Sequence, residues 1–280
     1  MTRRELLGVL AASSAVLKAE PSKQNSSPVC VHSRALAKVG YAELGDIARQ
    51  LGFDGVDLTV MPGGHVEPSM APVDLIRAIE SVQGADLEVP IISTALTSPA
   101  EPWSRTVLAL SGHSGVGLFK PGPARRSQML QQTRRDYFGL AMSGREFGIA
   151  LVAPVGMGTI GFSPTEALAI LSGFDPQWSG ISLSTSCFAK DSGISEDDLN
   201  SLLPRVRALA VHDLVWKGTP EWRPLGEGSV DFKQAFKTLS RAGFQGPISV
   251  LRDYVVKDEP GSLVRDLTFL RKQIAAVHES

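Results

Sequence analysis

Cysteine is scarce in this sequence, and neither sign of charge is in excess. Only two cysteines, Cys30 and Cys187, occur in 280 residues, which excludes a disulfide framework and a cysteine-rich zinc site. We interpret both as small buried apolar side chains, with a single disulfide as the alternative in an oxidising compartment. The formal net charge is −1, so the chain has no excess of lysine and arginine of the kind that binding to a phosphate backbone requires. We therefore expect no nucleic-acid partner.

The apolar run near the N-terminus is too short to cross a membrane. It covers residues 6–17, interrupted only by small residues, whereas a transmembrane helix needs roughly 20 apolar residues. Arg3 and Arg4 precede it and a plausible cleavage site follows Ala19, a pattern typical of a signal peptide for the twin-arginine route. We therefore predict a signal peptide over residues 1–19, a leader over residues 20–28, and an exported, periplasmic mature chain without stable membrane insertion.

Glycine-rich phosphate loops are absent where an open doubly wound sheet would need them. Neither G-x-G-x-x-G nor G-x-x-x-x-G-K-[ST] follows an early predicted strand, so that α/β fold is disfavoured. Instead, short apolar runs alternate with helical patterns from Val29 onward, which is typical of parallel strands joined by crossover helices. The predicted strands span residues 29–31, 55–60, 89–94, 116–120, 149–153, 180–184, 208–212 and 248–251.

Eight helical patterns accompany these strands. In the first, Leu44, Ile47, Ala48 and Leu51 fall on one face at helical spacing. The predicted helices span residues 41–51, 73–82, 103–110, 126–147, 164–171, 199–206, 232–242 and 262–276. No linker or low-complexity tract divides the series, so the sequence predicts one α/β domain over residues 29–280, a single (β/α)8 TIM barrel.

Five short segments, spread in order along the chain, point to a known family. They are L-G-F-D-G-V-D-L-T-V at 51–60, P-G-G-H-V at 62–66, A-V-H-D-L-V-W at 210–216, P-L-G-E-G-S-V-D at 224–231, and G-P-I-S at 246–249 with Asp253 and Tyr254 beyond. Together they resemble the sugar phosphate isomerases/epimerases, which are xylose isomerase-like TIM barrels. The resemblance implies a small-molecule carbohydrate partner and a Mg or Mn ion at the C-terminal mouth, where two bases move a proton.

The metal-binding positions that the resemblance implies are incomplete in this chain. At the fifth strand, where relatives usually offer Glu or an Asn-His pair, the sequence has Ala153 and Pro154. At the sixth strand, Ser184 and Cys187 replace the family's Asp and His. A divalent metal needs several oxygen or nitrogen ligands. We therefore expect an eroded metal site and assign no metal ligands.

Two residues near strand ends are the predicted catalytic groups. Because side chains alternate along a strand, only one of His212 and Asp213 points into the barrel, and we favour His212, since an ordinary imidazole pKa near 6.5 suits proton transfer. Asp253 matches the family's final glutamate position and is the second catalytic candidate. The predicted substrate-binding residues are His65, Lys120, Asp213, Glu227 and Trp216.

Simpler roles remain open for some of these binding candidates. His65 has the alternative of a loop histidine bonded to the backbone, and Lys120 that of a solvated strand-end lysine. Trp216 has the alternative of packing its own loop. The sequence thus predicts where polar groups collect, but it leaves their roles undecided.

Two functions follow from these observations. The first is a sugar isomerase or epimerase that works by proton transfer, on a free sugar because sugar phosphates belong mostly to the cytoplasm. The second is a noncatalytic barrel that binds a carbohydrate or a partner protein, suggested by the incomplete metal positions. A metal-dependent endonuclease shares the architecture, but it needs a multi-metal cluster and a basic groove that this sequence lacks.

Overall fold

The computed structural model describes residues 27–122, 130–157, 162–256 and 258–278. The predicted signal peptide, residues 1–19, and most of the predicted leader lie outside these ranges. Within the described ranges, no helix is both long and apolar enough to cross a membrane.

Eight of the ten strands form a closed parallel barrel. The strands are β1 Val29–His32, β2 Gly55–Val60, β3 Glu88–Thr94, β4 Leu118–Lys120, β5 Ala150–Val155, β6 Ser179–Ser184, β7 Val206–Val211, β8 Asp213–Trp216, β9 Pro220–Arg223 and β10 Ile248–Val250. The order around the barrel is β1-β10-β7-β6-β5-β4-β3-β2, and β2 pairs with β1 to close it. The predicted (β/α)8 barrel is therefore confirmed.

Helices connect consecutive barrel strands on the outside. They are α1 Tyr41–Gln50, α2 Ala71–Gly84, α3 Ser104–His113, α4 Leu130–Glu146, α5 Pro164–Leu171, α6 Glu196–Leu202, α7 Phe232–Arg241 and α8 Glu259–His278. Two of them begin with reciprocal capping boxes, Ser163 with Glu166 at α5 and Ser195 with Asp198 at α6. Such caps satisfy backbone N–H groups that the first helical turn leaves without partners.

Alternation along the strands separates an outer apolar layer from an inner one. Outward side chains such as Val56 and Leu58 join the large core beneath the helices. The inward side chains nearer the strand starts form a second apolar cluster: Ile91, Leu118, Ala150, Val152 and Ala208. Further along the strands the inward positions become polar, as at Asp57 and Ser184. The apolar plug therefore supports a polar mouth at the C-terminal end of the barrel.

The sequence predicts a loop directly after the seventh barrel strand, but the structure has an antiparallel hairpin of β8 and β9 there. Its strands pair from Asp213 with Arg223 to Trp216 with Pro220. Gly218 in the turn has a φ of 77°, a left-handed conformation that glycine adopts without steric cost. The two cysteines, by contrast, follow the prediction, since both are buried and free.

Candidate active site

Polar side chains from seven of the eight barrel strands converge at the C-terminal mouth, where barrel enzymes carry their chemistry. Lys120 and Asp253 are partly exposed, and the others are buried. The remaining strand, β5, contributes Pro154, which has no polar side-chain atom. We call the seven residues the mouth cluster: His32, Asp57, Ser93, Lys120, Ser184, His212 and Asp253.

His212 follows β7 and is fixed on every side. Its Nε2 lies 2.6 Å from the Ser184 hydroxyl, and its Nδ1 lies 3.3 Å from a carboxylate oxygen of Asp253. Its backbone N–H donates to the hydroxyl of Thr185, which in turn donates to the His212 carbonyl. The Trp222 ring, carried by the hairpin, lies 4.6 Å from the imidazole between ring centres. The ring therefore has one orientation, with one nitrogen toward a hydroxyl and one toward a carboxylate.

The hydroxyl groups behind His212 accommodate both of its protonation states. With a neutral ring, Nδ1–H donates to Asp253 and Nε2 accepts the hydroxyl hydrogen of Ser184. With a protonated ring, Nε2–H donates to Ser184, whose own hydrogen turns to the Ser186 hydroxyl 2.7 Å away. Hydroxyl hydrogens rotate to suit their partners. A proton can thus arrive on or leave His212 without leaving a hydrogen-bonding atom unsatisfied.

Asp253 is the member of this pair that reaches the opening of the mouth. Its side chain is 35% exposed, whereas that of His212 is only 3% exposed. Burial alone would raise the pKa of Asp253, but the hydrogen bond and charge of His212, with smaller effects of His32 and Arg34, lower it below its ordinary value. The carboxylate is therefore ionised at neutral pH.

A second group of the mouth cluster lies on β2, β3 and β4. The carboxylate of Asp57 is fully buried, and one of its oxygens accepts the Ser93 hydroxyl at 2.7 Å. The other oxygen lies 3.9 Å from Lys120 Nζ, which is too long for a hydrogen bond. That oxygen has no hydrogen-bond partner among the residues that the structure describes. Lys120 therefore lies inside the barrel beside a buried carboxylate, rather than in solvent.

His32, at the end of β1, lies within reach of the charges of both groups. Burial, helped by the charge of Lys120, lowers its pKa to about 4, against the opposing effects of Asp57 and Asp253. The imidazole is therefore neutral at neutral pH. Its ring makes no hydrogen bond to any residue in the described ranges.

Asp213 does not bind a ligand in the mouth, which corrects the prediction. One oxygen accepts the backbone N–H groups of Leu214 and Val230, and the other accepts those of Gly226 and Gly228. A carboxylate has about four acceptor positions, so no position is left for a sugar. Asp213 instead fastens the loop before α7, and His212 takes the inward position.

Glu227 also lies away from the mouth cluster. It is exposed, and its carboxylate meets Arg265 of α8 at 3.4 Å. Since α8 packs on the outside of the barrel, the predicted substrate contact of Glu227 is corrected to a surface ion pair.

His65 has the backbone hydrogen bond that the sequence left open as its simpler role, whereas Trp216 lines a separate cleft. His65 Nε2 bonds the Val39 carbonyl at 3.0 Å, and burial lowers its pKa although backbone hydrogen bonds oppose this. Trp216, at the end of β8, lines a cleft of about 430 Å³ together with Met157 and Asp191. Neither side chain belongs to the mouth cluster.

A second, larger cleft lies far from the polar groups of the mouth, at the N-terminal end of the barrel. It has a volume of about 640 Å³ and is lined by strand starts, including Leu118 and Val206. In barrels this N-terminal end serves stability, whereas chemistry collects at the opposite end. We therefore place the candidate active site at the mouth cluster.

The side chains of the mouth do not fit the divalent metal that the resemblance implies. Mg²⁺ and Mn²⁺ need several oxygen ligands, and in the described part of the chain no group of three or more His, Cys, Asp or Glu side chains could hold a metal ion. Asp57 already faces a lysine, and Asp253 faces His212.

Four members of the mouth cluster are not among the site residues that the sequence predicts: His32, Asp57, Ser93 and Ser184. His32 ends V-C-V-H, the same strand-end pattern that singled out His212 in A-V-H. That signal was available. The sequence marks Ser184 only as a lost metal ligand, because its hydrogen bond to His212 joins residues 28 positions apart in the chain.

Comparisons with known proteins give neighbours in structure but none in sequence. No family model matches the chain, and no curated protein matches it significantly. A solved xylose isomerase-like TIM barrel protein from Mycobacterium smegmatis, in complex with magnesium, is 15% identical with a TM-score of 0.67, covering 90% of this chain and 98% of that one. A solved L-ribulose 3-epimerase is 14% identical with a TM-score of 0.69, covering 90% and 96%.

A third neighbour is 3-keto-D-glucoside 4-epimerase from E. coli in its apo form. It is 13% identical with a TM-score of 0.66, and the match covers 88% of this chain and all of that one. Identities this low establish a shared fold and leave the chemistry to the residues of each mouth. The protein therefore has the fold of the xylose isomerase-like TIM barrels, in agreement with the resemblance of its sequence motifs.

Proposed function

We propose that this protein is a sugar isomerase or epimerase that moves a proton on a free sugar, with Asp253 and His212 as its acid/base pair. One observation carries the proposal: the pair is joined at 3.3 Å in the mouth of the barrel. Support comes from the fold, which is shared with L-ribulose 3-epimerase and 3-keto-D-glucoside 4-epimerase.

The arrangement suits removal of a proton from a carbon beside a carbonyl. Asp253 is the more exposed member and meets the substrate, while His212 lies behind it and shares the proton. Because the Ser184 and Ser186 hydroxyls rotate, His212 can hold the proton and return it. Positioned acid/base groups of this kind contribute about 10²–10⁴-fold to a rate.

The enolate formed by this step needs a positive partner. In the metal enzymes that the sequence resembles, a divalent ion supplies it. Here the eroded metal positions, Pro154 on β5 and Ser184 on β6, offer no such ligand set, and we propose that Lys120 supplies the charge instead. Its side chain is 16% exposed, so the ammonium group is accessible from the mouth.

Solvent deuterium exchange tests the proposal. Wild-type protein, incubated in D₂O with a panel of free ketoses and aldoses, should introduce deuterium at one carbon, as seen by NMR. Asp253→Asn should slow this exchange by about 100-fold or more. Glu227→Gln, a change of an exposed carboxylate outside the mouth, should leave the rate unchanged. Absence of exchange from every sugar, with and without added Mg²⁺ or Mn²⁺, would refute the proposal.

A noncatalytic carbohydrate-binding barrel is the second candidate function. It is favoured by the fact that the described residues form no metal-ligand cluster. Calorimetry with the same sugars would then show binding without turnover. A measured turnover that Asp253→Asn abolishes would exclude this second function.

We also propose that the protein is exported to the periplasm by the twin-arginine route. The support is the N-terminal pattern of Arg3 and Arg4 followed by the apolar run. Fractionation of cells that produce the full chain should find it in the periplasm, and a double change of Arg3→Lys and Arg4→Lys should retain it in the cytoplasm. Equal periplasmic amounts of both forms would contradict the proposal.

A further inference from the structure

Asp57 and Lys120 are too far apart, at 3.9 Å, to form the hydrogen-bonded ion pair that a purely structural role would require. Buried charges are normally paired and hydrogen-bonded, because removing them from water is costly. Here one oxygen of the fully buried Asp57 has no hydrogen-bond partner in the described part of the chain. The ammonium group 3.9 Å away makes no hydrogen bond to any residue in the described ranges either. Both groups therefore have unused hydrogen-bonding capacity toward the same space.

The surroundings of this space suit a small polar group. Ser93 fixes the other oxygen of Asp57 at 2.7 Å, so the free oxygen keeps its direction. Lys120 ends β4, where its chain enters the mouth and is 16% exposed. His32 adds a buried imidazole whose ring is not hydrogen-bonded within the described ranges. An amine, a carboxylate and an accessible opening are the components of a site that captures a carbonyl.

We propose that Lys120 forms a covalent iminium with the carbonyl carbon of an open-chain ketose or aldose, and that Asp57 transfers the protons of this step. The amine of a largely desolvated lysine is a known nucleophile for carbonyl substrates, and a neighbouring carboxylate can receive and return its proton. The ligand class is thus a small polyhydroxylated ketone or aldehyde.

The step balances in atoms and charge. The Lys120 ammonium gives a proton to the free oxygen of Asp57, and the neutral amine attacks the carbonyl carbon. A proton shifts from nitrogen to oxygen to give a carbinolamine. Its C–O bond then breaks as Asp57 returns its proton, and water leaves. One ammonium and one carbonyl become one iminium and one water, and Asp57 is a carboxylate again.

The iminium deepens the proposed function, on which its catalytic use rests. Its positive nitrogen withdraws electrons from the adjacent carbon and so acidifies the C–H bond that the Asp253–His212 pair attacks. Loss of that proton gives a neutral enamine, and reprotonation followed by hydrolysis releases the product. Lys120 in this way performs the charge stabilisation that the resemblance assigns to a metal. Formation of the adduct itself does not depend on the proton transfer.

Reductive trapping tests the inference. The full chain is incubated with dihydroxyacetone, reduced with sodium borohydride and digested with a protease. The mass of each lysine-containing peptide is then measured by mass spectrometry. The peptide with Lys120 should gain the mass of the probe less one oxygen atom. Labelling there should be at least about tenfold faster than at Lys217, because an amine positioned beside a bound carbonyl reacts faster than one on the protein surface. Lys217 is 65% exposed and serves as the internal standard.

Matched variants separate the inference from unspecific labelling. Lys120→Arg keeps the positive charge but removes the amine, so trapping should vanish while circular dichroism stays native. The Lys217→Arg variant should be labelled at Lys120 as fast as the wild type is. The Asp57→Asn variant should be labelled at the same residue, Lys120, but more slowly. Labelling of Lys120 no faster than Lys217, or equally fast in urea, overturns the inference.

The two proposals fail in different ways. If Lys120 is trapped but no sugar exchanges its proton, the inference is supported and the proposed function is refuted. If proton exchange continues unchanged in Lys120→Arg and nothing is trapped, the inference is refuted while the proposed function stands.

Discussion

Mild acid should destabilise this protein through His32, a buried imidazole in the mouth cluster. Burial and the nearby charge of Lys120 lower its pKa to about 4, whereas an unfolded chain restores the ordinary value near 6.5. Between these two values the unfolded state binds more protons than the folded state. The free energy of unfolding therefore rises with pH in this window and falls on acidification. Stability from a neutral His32 is intact above about pH 6.5.

The size of the effect follows from the shift. Each unit of pKa difference corresponds to about 1.4 kcal/mol, so the full loss below pH 4 is about 3 kcal/mol. At pH 5 about 2 kcal/mol of this is already lost. Because His32 is buried at 9% exposure, solvent screening reduces this figure little.

Urea unfolding at about pH 7.5 and pH 5 measures the loss, with His32→Gln as the key variant. The wild type should lose about 2 kcal/mol more between these two pH values than His32→Gln does, since glutamine does not titrate. The matched control is His113→Gln, which removes an exposed histidine at the end of α3 and should keep the wild-type pH dependence. Equal losses in wild type and His32→Gln would refute the assignment of a buried, neutral His32.

Three further changes test contacts that stabilise the fold. Asp213→Asn should lower the free energy of unfolding by about 3 kcal/mol in urea titration, because buried backbone N–H groups lose their charged acceptor. Gly246→Ala should cost about 1–3 kcal/mol by the same assay, since the new Cβ would overlap the Arg207 carbonyl; an unchanged midpoint would contradict this contact. Ser163→Ala should cost about 1 kcal/mol by removing the cap that receives the Glu166 N–H, and Ser163→Asp should largely restore it.

The barrel was predictable because the strands have a recognisable local sequence pattern. G-V-D-L-T-V at β2 and A-L-A-V at β7 are apolar runs bounded by breaks, and the helices between them carry one apolar face. Parallel strands joined by crossovers leave few closed arrangements. The β8–β9 hairpin was not predictable, because Asp213 follows the seventh strand with no sequence break between them. The structural sign of the change is the Asp213 carboxylate, which accepts backbone N–H groups of the loop before α7.

The site was only partly predictable, because the direction of a side chain and the residues that it contacts depend on the tertiary structure. The sequence placed His212, Asp253 and Lys120 near strand ends, but not which neighbour each would meet. Ser184 is an unremarkable serine until its hydroxyl lies 2.6 Å from His212. Conversely, Glu227 is a charged residue in a loop after the seventh barrel strand, which makes it a plausible mouth residue in the sequence. In the structure it forms an ion pair with Arg265 of α8 instead.

The charge balance of the mouth separates the ligand classes that this fold accepts. Asp57 already faces Lys120, Asp253 already faces His212, and His32 is neutral near pH 7. A phosphorylated sugar would add about two negative charges, and a divalent ion two positive ones, and a buried unpaired charge is costly. A free sugar preserves the balance. Capture by Lys120 preserves it as well, because the positive charge of the ammonium becomes that of the iminium.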